Sequence, residues 1–260
     1  MNYGLYLSAS GVLTNMYRQD VFSNNLANAR TVGFKPDIAG ISQRPPESVE
    51  DGFGFDLRQD LLDKLGGGVF AGPQHINFDV GRLERTENPL DVALETSNAF
   101  FAVATTDANG RTDVALTRDG RFTRSGDNFL VTMAGGRKVL DASDAPIALG
   151  TGPIQIDRSG RVLEDGEEVG RLQIAEVANP RLLRKLGSNL FRIPESAGAR
   201  RAVENAGVLP GFVESSGTEP IRSLMKMIKA TSAVSGNGRM IRFHDALMDR
   251  AVNTLGRVVA

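Results

Sequence analysis

Apolar residues recur at helical spacing at both ends of this chain and at strand spacing between them. Near the start, Leu5, Ala9, Val12, Met16 and Leu26 fall close to one face at a 3.6-residue period, with Phe22 slightly off it. Gly11 weakens that stretch, and the small residues at 8–11 would let another helix approach closely. Asn24, Asn25, Asn28 and Thr31 favour caps and turns, so the helix is expected to end around Ala27 to Ala29. Lys35-Pro36 then pushes the backbone into an extended conformation. From about Pro220 a second arm carries Ile221, Leu224, Met225 and Ile228, followed by Ile241, Met248, Ala251, Leu255 and Val258. Its halves resemble heptad seams, but the phase does not run through Ser235-Gly236-Asn237-Gly238. Each glycine costs a helix interior up to about 1 kcal/mol relative to alanine, so the pair predicts a kink or break.

Between the arms the period shortens. The runs 100–104, 129–132 and 171–177 suit strands, and turn signals stand at Asn109-Gly110, Asp119-Gly120, Ser125-Gly126, Ser159-Gly160 and Asp165-Gly166. The pattern predicts an α+β chain, with N- and C-terminal helices pairing as a coiled-coil-like arm and flanking a central antiparallel β-rich domain. Its divisions are an N-terminal helical arm over 1–35, an extended loop region over 36–80, a central β domain over 81–217 and a C-terminal helical arm over 218–260. A short helix over 56–65 is compatible with the loop region.

Composition removes several classes of function. The 30 basic and 31 acidic residues nearly cancel, which points away from nucleic acid and from an anionic membrane. No cysteine is present, so a disulfide framework, a thiolate metal site and a cysteine nucleophile are excluded. No apolar run approaches the roughly 18–20 residues of a bilayer span. Residues 1–13 contain neither Lys nor Arg and no sustained apolar core, so a cleaved secretory signal is not expected. Gly66-Gly67-Gly68 is not followed by Gly-Lys-Ser/Thr and is no phosphate loop. Residues 157–168 have the length of a calcium loop, but Val162 stands where such a loop needs glycine, so a hairpin is expected. His75 and His244 are the only histidines, and a zinc site built on them would need carboxylate help. Asp119, beside Arg118, reads first as part of a turn, and Gly-x-Ser-x-Gly is missing. No catalytic, cofactor-binding or metal-binding residue is assigned. An enzyme would require a pocket with convergent polar groups; a cell-surface binding module would be a stable monomer with ordered ends.

Three blocks carry a family resemblance. Asn24-Asn25-Leu26-Ala27-Asn28 with Thr31-Val32-Gly33-Phe34-Lys35 resembles the N-terminal signature of the bacterial flagellar rod and hook proteins. The order Asn88-Pro89-Leu90-Asp91, Phe100-Phe101 and Thr117-Arg118-Asp119-Gly120-Arg121-Phe122 is similar to the centre of the same family, and Met225-x-x-Ile228 with the late apolar seam fits its C-terminal arm. Length and the modest β domain look like rod proteins; a hook-type subunit is the alternative within the family. The resemblance implies a structural subunit of the periplasm-spanning rod, exported through the flagellar type III channel and polymerised helically, with terminal helices pairing into an inner tube. Implied partners are further copies of the chain, other rod and hook proteins, the export apparatus and ring proteins around the rod, with no cofactor, nucleic acid or small-molecule substrate. The residues assigned to assembly are Leu5, Val12, Met16, Asn24, Asn25, Leu26, Asn28, Phe34, Leu224, Met225, Ile228, Ile241, Met248 and Leu255.

Charge is unevenly distributed. Glu47, Glu50, Asp51, Asp56, Asp60 and Asp63 face a single Arg58, for a local net charge of −5, while the last arm carries +4. In a filament Asp56, Asp60 or Asp63 of one subunit is therefore expected near Lys226, Lys229 or Arg222 of another, many weak contacts together fixing register. Asp60→Lys with Asp63→Lys should impair polymerisation, and adding Lys226→Glu with Lys229→Glu should partly restore it. Normal assembly of the first double variant at both low and physiological salt would count against the pairing.

Overall fold

The computed structural model describes residues 3–45, 66–106, 112–194, 201–203 and 207–255. Asn109-Gly110, the acidic positions Asp56, Asp60 and Asp63, and the helix considered over 56–65 lie outside them. The chain is α+β and divides into two compact units. One comprises 1–27, 37–75 and 220–260; the other comprises 28–36 and 76–219.

The first unit is built on two helices, α1 (Tyr3–Ala27) and α2 (Pro220–Arg250), which pack on each other along their lengths. They run antiparallel: the space above Gly4 is filled by the His244 ring, and that above Gly11 by the Asn237 side chain. Further along, the Lys226 ammonium lies 5.8 Å from the Phe22 ring centre. The less exposed positions of α2 include Ser223, Met227, Ala230, Val234, Asn237, Ile241, His244 and Met248, in alternating steps of four and three. On α1, Gly4, Ser8, Gly11, Asn15, Arg18, Phe22 and Asn25 repeat the same alternation among the less exposed positions.

That seam corrects the expectation of a break at Gly236 and Gly238. The helix is continuous from Pro220 to Arg250, and the phase carries through. Packing outweighs the propensity penalty, because Asn237 lies between the glycines and occupies the space that Gly11 leaves open. After Arg250 the helix widens into a π-helical turn at Ala251–Leu255.

Part of the stretch read as extended loop also belongs here. Strands β1 (Asp37–Gln43) and β2 (Val69–Ile76) form a two-stranded ribbon. Hydroxyls of α1 donate to its backbone: Tyr3 to Gly66 O at 2.8 Å, Thr14 to Val69 O at 3.3 Å and Tyr17 to Gly72 O at 3.2 Å. A lone two-stranded ribbon is marginal in water, and the helix completes it.

The second unit contains an antiparallel six-stranded sheet. Its centre is β5 (Ala99–Thr106) paired with β6 (Thr112–Thr117), extended on one side by β13 (Arg184–Gly187) and β14 (Leu190–Arg192), and on the other by β12 (Ile174–Glu176) and β15 (Arg201–Ala202). Because strand residues alternate in facing, Phe100 and Phe101 enter different cores. Phe100 packs edge-on against Phe78 and Phe191, at 5.5 and 5.9 Å between ring centres; Phe101 packs against Phe122 at 5.2 Å.

Smaller sheets complete the unit: β9 (Ile154–Ile156) with β10 (Arg161–Glu164) and β11 (Glu167–Arg171); β3 (Leu83–Arg85) with β17 (Phe212–Glu214); β4 (Val92–Leu94) with β16 (Val208–Pro210); and β7 (Phe122–Arg124) with β8 (Leu130–Thr132). Asp165 and Gly166 join β10 to β11 with φ of +52° and +87°, the left-handed pair that a two-residue hairpin requires. Asp119-Gly120 is not a hairpin, because β6 and β7 on either side of it pair with different strands. Its geometry is set instead by close approach, since a Cβ on Gly120 would lie 1.8 Å from Val92 O.

Gly11→Leu should overpack the α1–α2 seam and destabilise it by about 1–3 kcal/mol. Adding Asn237→Ala should recover part of the loss. Far-UV circular dichroism during thermal unfolding of the two variants provides the check.

Candidate functional site

The resemblance blocks meet in the β-rich unit. Gly33 has φ +69°, and a Cβ there would lie 2.6 Å from the backbone of Arg118 and Asp119, so this position requires glycine. That close approach carries the chain across the turn after β6, where the Gly33 amide donates to Glu214 O at 2.6 Å. Two residues on, Lys35 is fully buried. Its ammonium donates to Glu214 Oε1 at 2.5 Å and to Asp79 O at 2.7 Å. The other carboxylate oxygen of Glu214 accepts from Arg118 Nε at 2.9 Å, and Oε1 also accepts from the Gly81 amide at 2.7 Å.

Arg118 is equally buried. Its Nη1 donates to the carbonyls of Thr96, at 2.6 Å, and Ala99, and its guanidinium carbon sits 5.6 Å from the Phe100 ring centre. Burial pulls both Lys35 and Arg118 below their ordinary pKa ranges, and Glu214 opposes that shift without cancelling it. Two buried cations thus share one buried carboxylate. Arg118 Nη2 is buried with no hydrogen-bond partner among the described residues.

The neighbouring motif residues brace this cluster. Asn88 Nδ2 donates to Asp91 Oδ1 at 2.9 Å, and the Asp91 amide returns to Asn88 O at 3.1 Å, closing the Asn-Pro-Leu-Asp turn. Asp119 is gripped by Arg121 through Nε at 3.0 Å and Nη2 at 2.8 Å. The β13–β14 hairpin holds the incoming segment from outside. Lys185 donates to Lys35 O at 2.6 Å with its ammonium 4.3 Å from the Phe34 ring centre, and Asn189 donates to Val32 O at 2.5 Å.

Residues assigned to assembly from the sequence scatter among several environments. Phe34 is buried beside the cluster. Asn25 is buried where α1 ends and exchanges two hydrogen bonds with the Asp37 backbone, at 2.7 and 2.9 Å. Asn28, half-buried, closes a turn with Thr31 at 3.1 Å, and Asn24 is exposed. Ile241 and Met248 lie on the inward seam, while Leu5, Val12 and Leu26 are half-buried on α1. Met16, Leu224, Met225 and Ile228 face outward. Leu255 lies in the π-helical turn, and its side chain is outside what the structure describes.

The outward residues form stripes of their own. On α1, Tyr6, Leu13 and Met16 are exposed, Met16 at 50 %; on α2, Ile221, Leu224 and Ile228 recur at steps of three and four, as do Met240, Phe243 and Leu247. Sequence reading missed Lys35, Arg118 and Glu214 as a functional set. The first two were noticed only as motif letters, and Glu214 gave no signal, because its partners lie 179 and 96 residues away.

Glu214→Gln removes the only carboxylate of the cluster and should destabilise the β-rich unit by about 3–5 kcal/mol, the usual effect of stranding a buried charge. Gly33→Ala should lose more than about 1 kcal/mol through its left-handed backbone. Denaturant titration of the purified variants measures both.

Comparison with known proteins agrees with the convergence of these motifs. A family model described as flagella basal body rod protein matches residues 5–35. The chain is 28% identical to the flagellar basal-body rod protein FlgF of Rhizobium meliloti, across 98% of this chain and 99% of that protein. It is 29% identical to the FlgF of Caulobacter vibrioides, over 99% of this chain and the full length of the relative. With the flagellar basal-body rod protein FlgG of Borreliella burgdorferi identity is 30%, covering 97% of this chain and 98% of the other. On motif order, matched length and identity together, the chain belongs to the flagellar basal-body rod protein family.

Proposed function

We propose that this protein is a structural subunit of the flagellar basal-body rod, polymerising helically into the shaft that transmits torque from motor to hook. The single observation carrying the assembly mechanism is the row of large apolar side chains that the helix pair leaves uncovered. Tyr6, Leu13, Met16, Ile221, Leu224, Met225 and Ile228 face solvent, and Met240, Phe243 and Leu247 do the same further along α2. Contiguous apolar stripes of this size mark interaction surfaces. Each large aliphatic side chain covered by a neighbour contributes about 1.5–3 kcal/mol.

In this reading the α1–α2 pair acts as a coiled coil whose outer stripes are buried by further copies and by other rod and hook proteins, with ring proteins contacting the assembled rod. The chain travels unfolded through the flagellar export apparatus. Its work is mechanical, so it uses no cofactor or substrate. Ordering the backbone costs about 1–2 kcal/mol per residue. Among the buried residues of the helices only Val21, Phe22 and Ala230 are apolar, against two extensive clusters in the β-rich unit. Folding of the arms is therefore coupled to assembly.

Two outcomes follow. In the purified monomer, amides of α1 and α2 should exchange much faster than those of β5 and β6; equal protection would refute coupled folding and assembly. Met16→Glu with Ile228→Glu should prevent rod formation in cells lacking the native copy while leaving thermal unfolding of the β-rich unit unchanged. Basal bodies with complete rods in electron micrographs of that strain would overturn the outer stripes as the assembly surface.

A further inference from the structure

We infer that the Lys35–Glu214–Arg118 cluster is a register lock, which selects one alignment of β17 against β3, rather than a source of stability. The inference rests on the rod reading only in its consequence for assembly; the alignment itself can be tested separately.

Three observations support it. First, the paired segment is short. β17 and β3 share three residue pairs, Phe212 with Arg85, Val213 with Glu84 and Glu214 with Leu83, in a ribbon of two strands. So short a ribbon has little intrinsic preference for one register, and a slip of one residue would turn every side chain to the opposite face. Glu214 is the residue that such a slip would expel. In the observed register its two oxygens meet Lys35 Nζ, the Gly81 amide and Arg118 Nε together. No other residue of β17 carries a carboxylate.

Second, the cluster is poorly suited to supplying stability. Its three side chains are at most 1 % exposed, with two positive charges to one negative, and a guanidinium nitrogen lacks a partner among the described residues. Removing ions from water is expensive, and buried ion clusters are often replaced by apolar residues without loss. The Phe78–Phe100–Phe191 core adjoins the site and supplies apolar burial independently. Third, the lock is close in sequence to both helices. Lys35 follows the end of α1 at Ala27, and Glu214 precedes the start of α2 at Pro220.

The test uses full-length chain carrying Lys35→Met, Arg118→Met and Glu214→Leu together. Because the chain has no cysteine, alignment can be read by disulfide trapping. Arg85→Cys with Phe212→Cys reports the observed register, and Glu84→Cys with Phe212→Cys reports a one-residue slip. In the native background only the first pair should cross-link on oxidation; in the triple background both should. Thermal unfolding of the triple variant should be no lower than that of the native chain, and the variant should not restore swimming to a strain lacking the gene. Exclusive trapping of the first pair in the triple background would overturn the lock, as would a large drop in melting temperature, which would make the cluster a stability element. Loss of register with normal swimming would remove its role in assembly. A strain without the gene that still builds complete rods would refute the rod reading while leaving the trapping result intact.

Discussion

The carboxylate of Glu214 is the contact on which the β-rich unit depends at its open end. It stands on a three-residue strand and gathers a lysine from just after α1, an arginine from the turn after β6 and an amide from the approach to β3. None of these partners is adjacent in sequence, and both cationic side chains are removed from water. Such an arrangement adds little net stability, because desolvation offsets most of the attraction. It does exclude alternatives, since every misplacement strands a buried charge. The aromatic core supplies the bulk of the burial, and the ionic cluster decides which arrangement of that core is occupied.

The helix pair follows the opposite economy. Gly4 and Gly11 let α1 approach His244 and Asn237 closely, and few apolar side chains of the two helices are fully buried. Many of the larger ones remain exposed. A compact monomer would place them inward. On the function proposed above, neighbouring subunits cover these side chains, and chain entropy favours loosely held arms until they do.

The motifs behind the resemblance acquire physical meanings from this arrangement. Gly33 is required by its left-handed backbone and by the approach to Arg118 and Asp119. The paired phenylalanines serve two cores on opposite faces of one strand. Asn88 and Asp91 close a turn on each other, and Asp119 is neutralised by Arg121. These roles are structural, consistent with a protein whose task is to hold a shape under load.

By itself the sequence determined the α+β order, the end of α1 near Ala27, the strand around 100–104, and the hairpin at Asp165-Gly166; of the run 171–177 only Ile174–Glu176 forms a strand of its own, Arg171 closing the one before it. Each depends on local periodicity or on the backbone freedom of one or two residues, which the chain carries wherever it folds. The tertiary structure decided the rest. Apolar spacing located the helices but not their inward faces, because Ile221, Leu224, Met225 and Ile228 stay exposed while Ile241 and Met248 are half-buried. Gly236 and Gly238 reduce helix propensity locally, yet α2 continues through them because Asn237 packs against Gly11 on the other helix. Strands β1 and β2 were hidden in a stretch without alternation, since pairing and the hydroxyls of α1 create that ribbon. Lys35, Arg118 and Glu214 read as ordinary charged residues until folding brings them together, for burial and partnership are properties of the assembled chain and of no short segment of it.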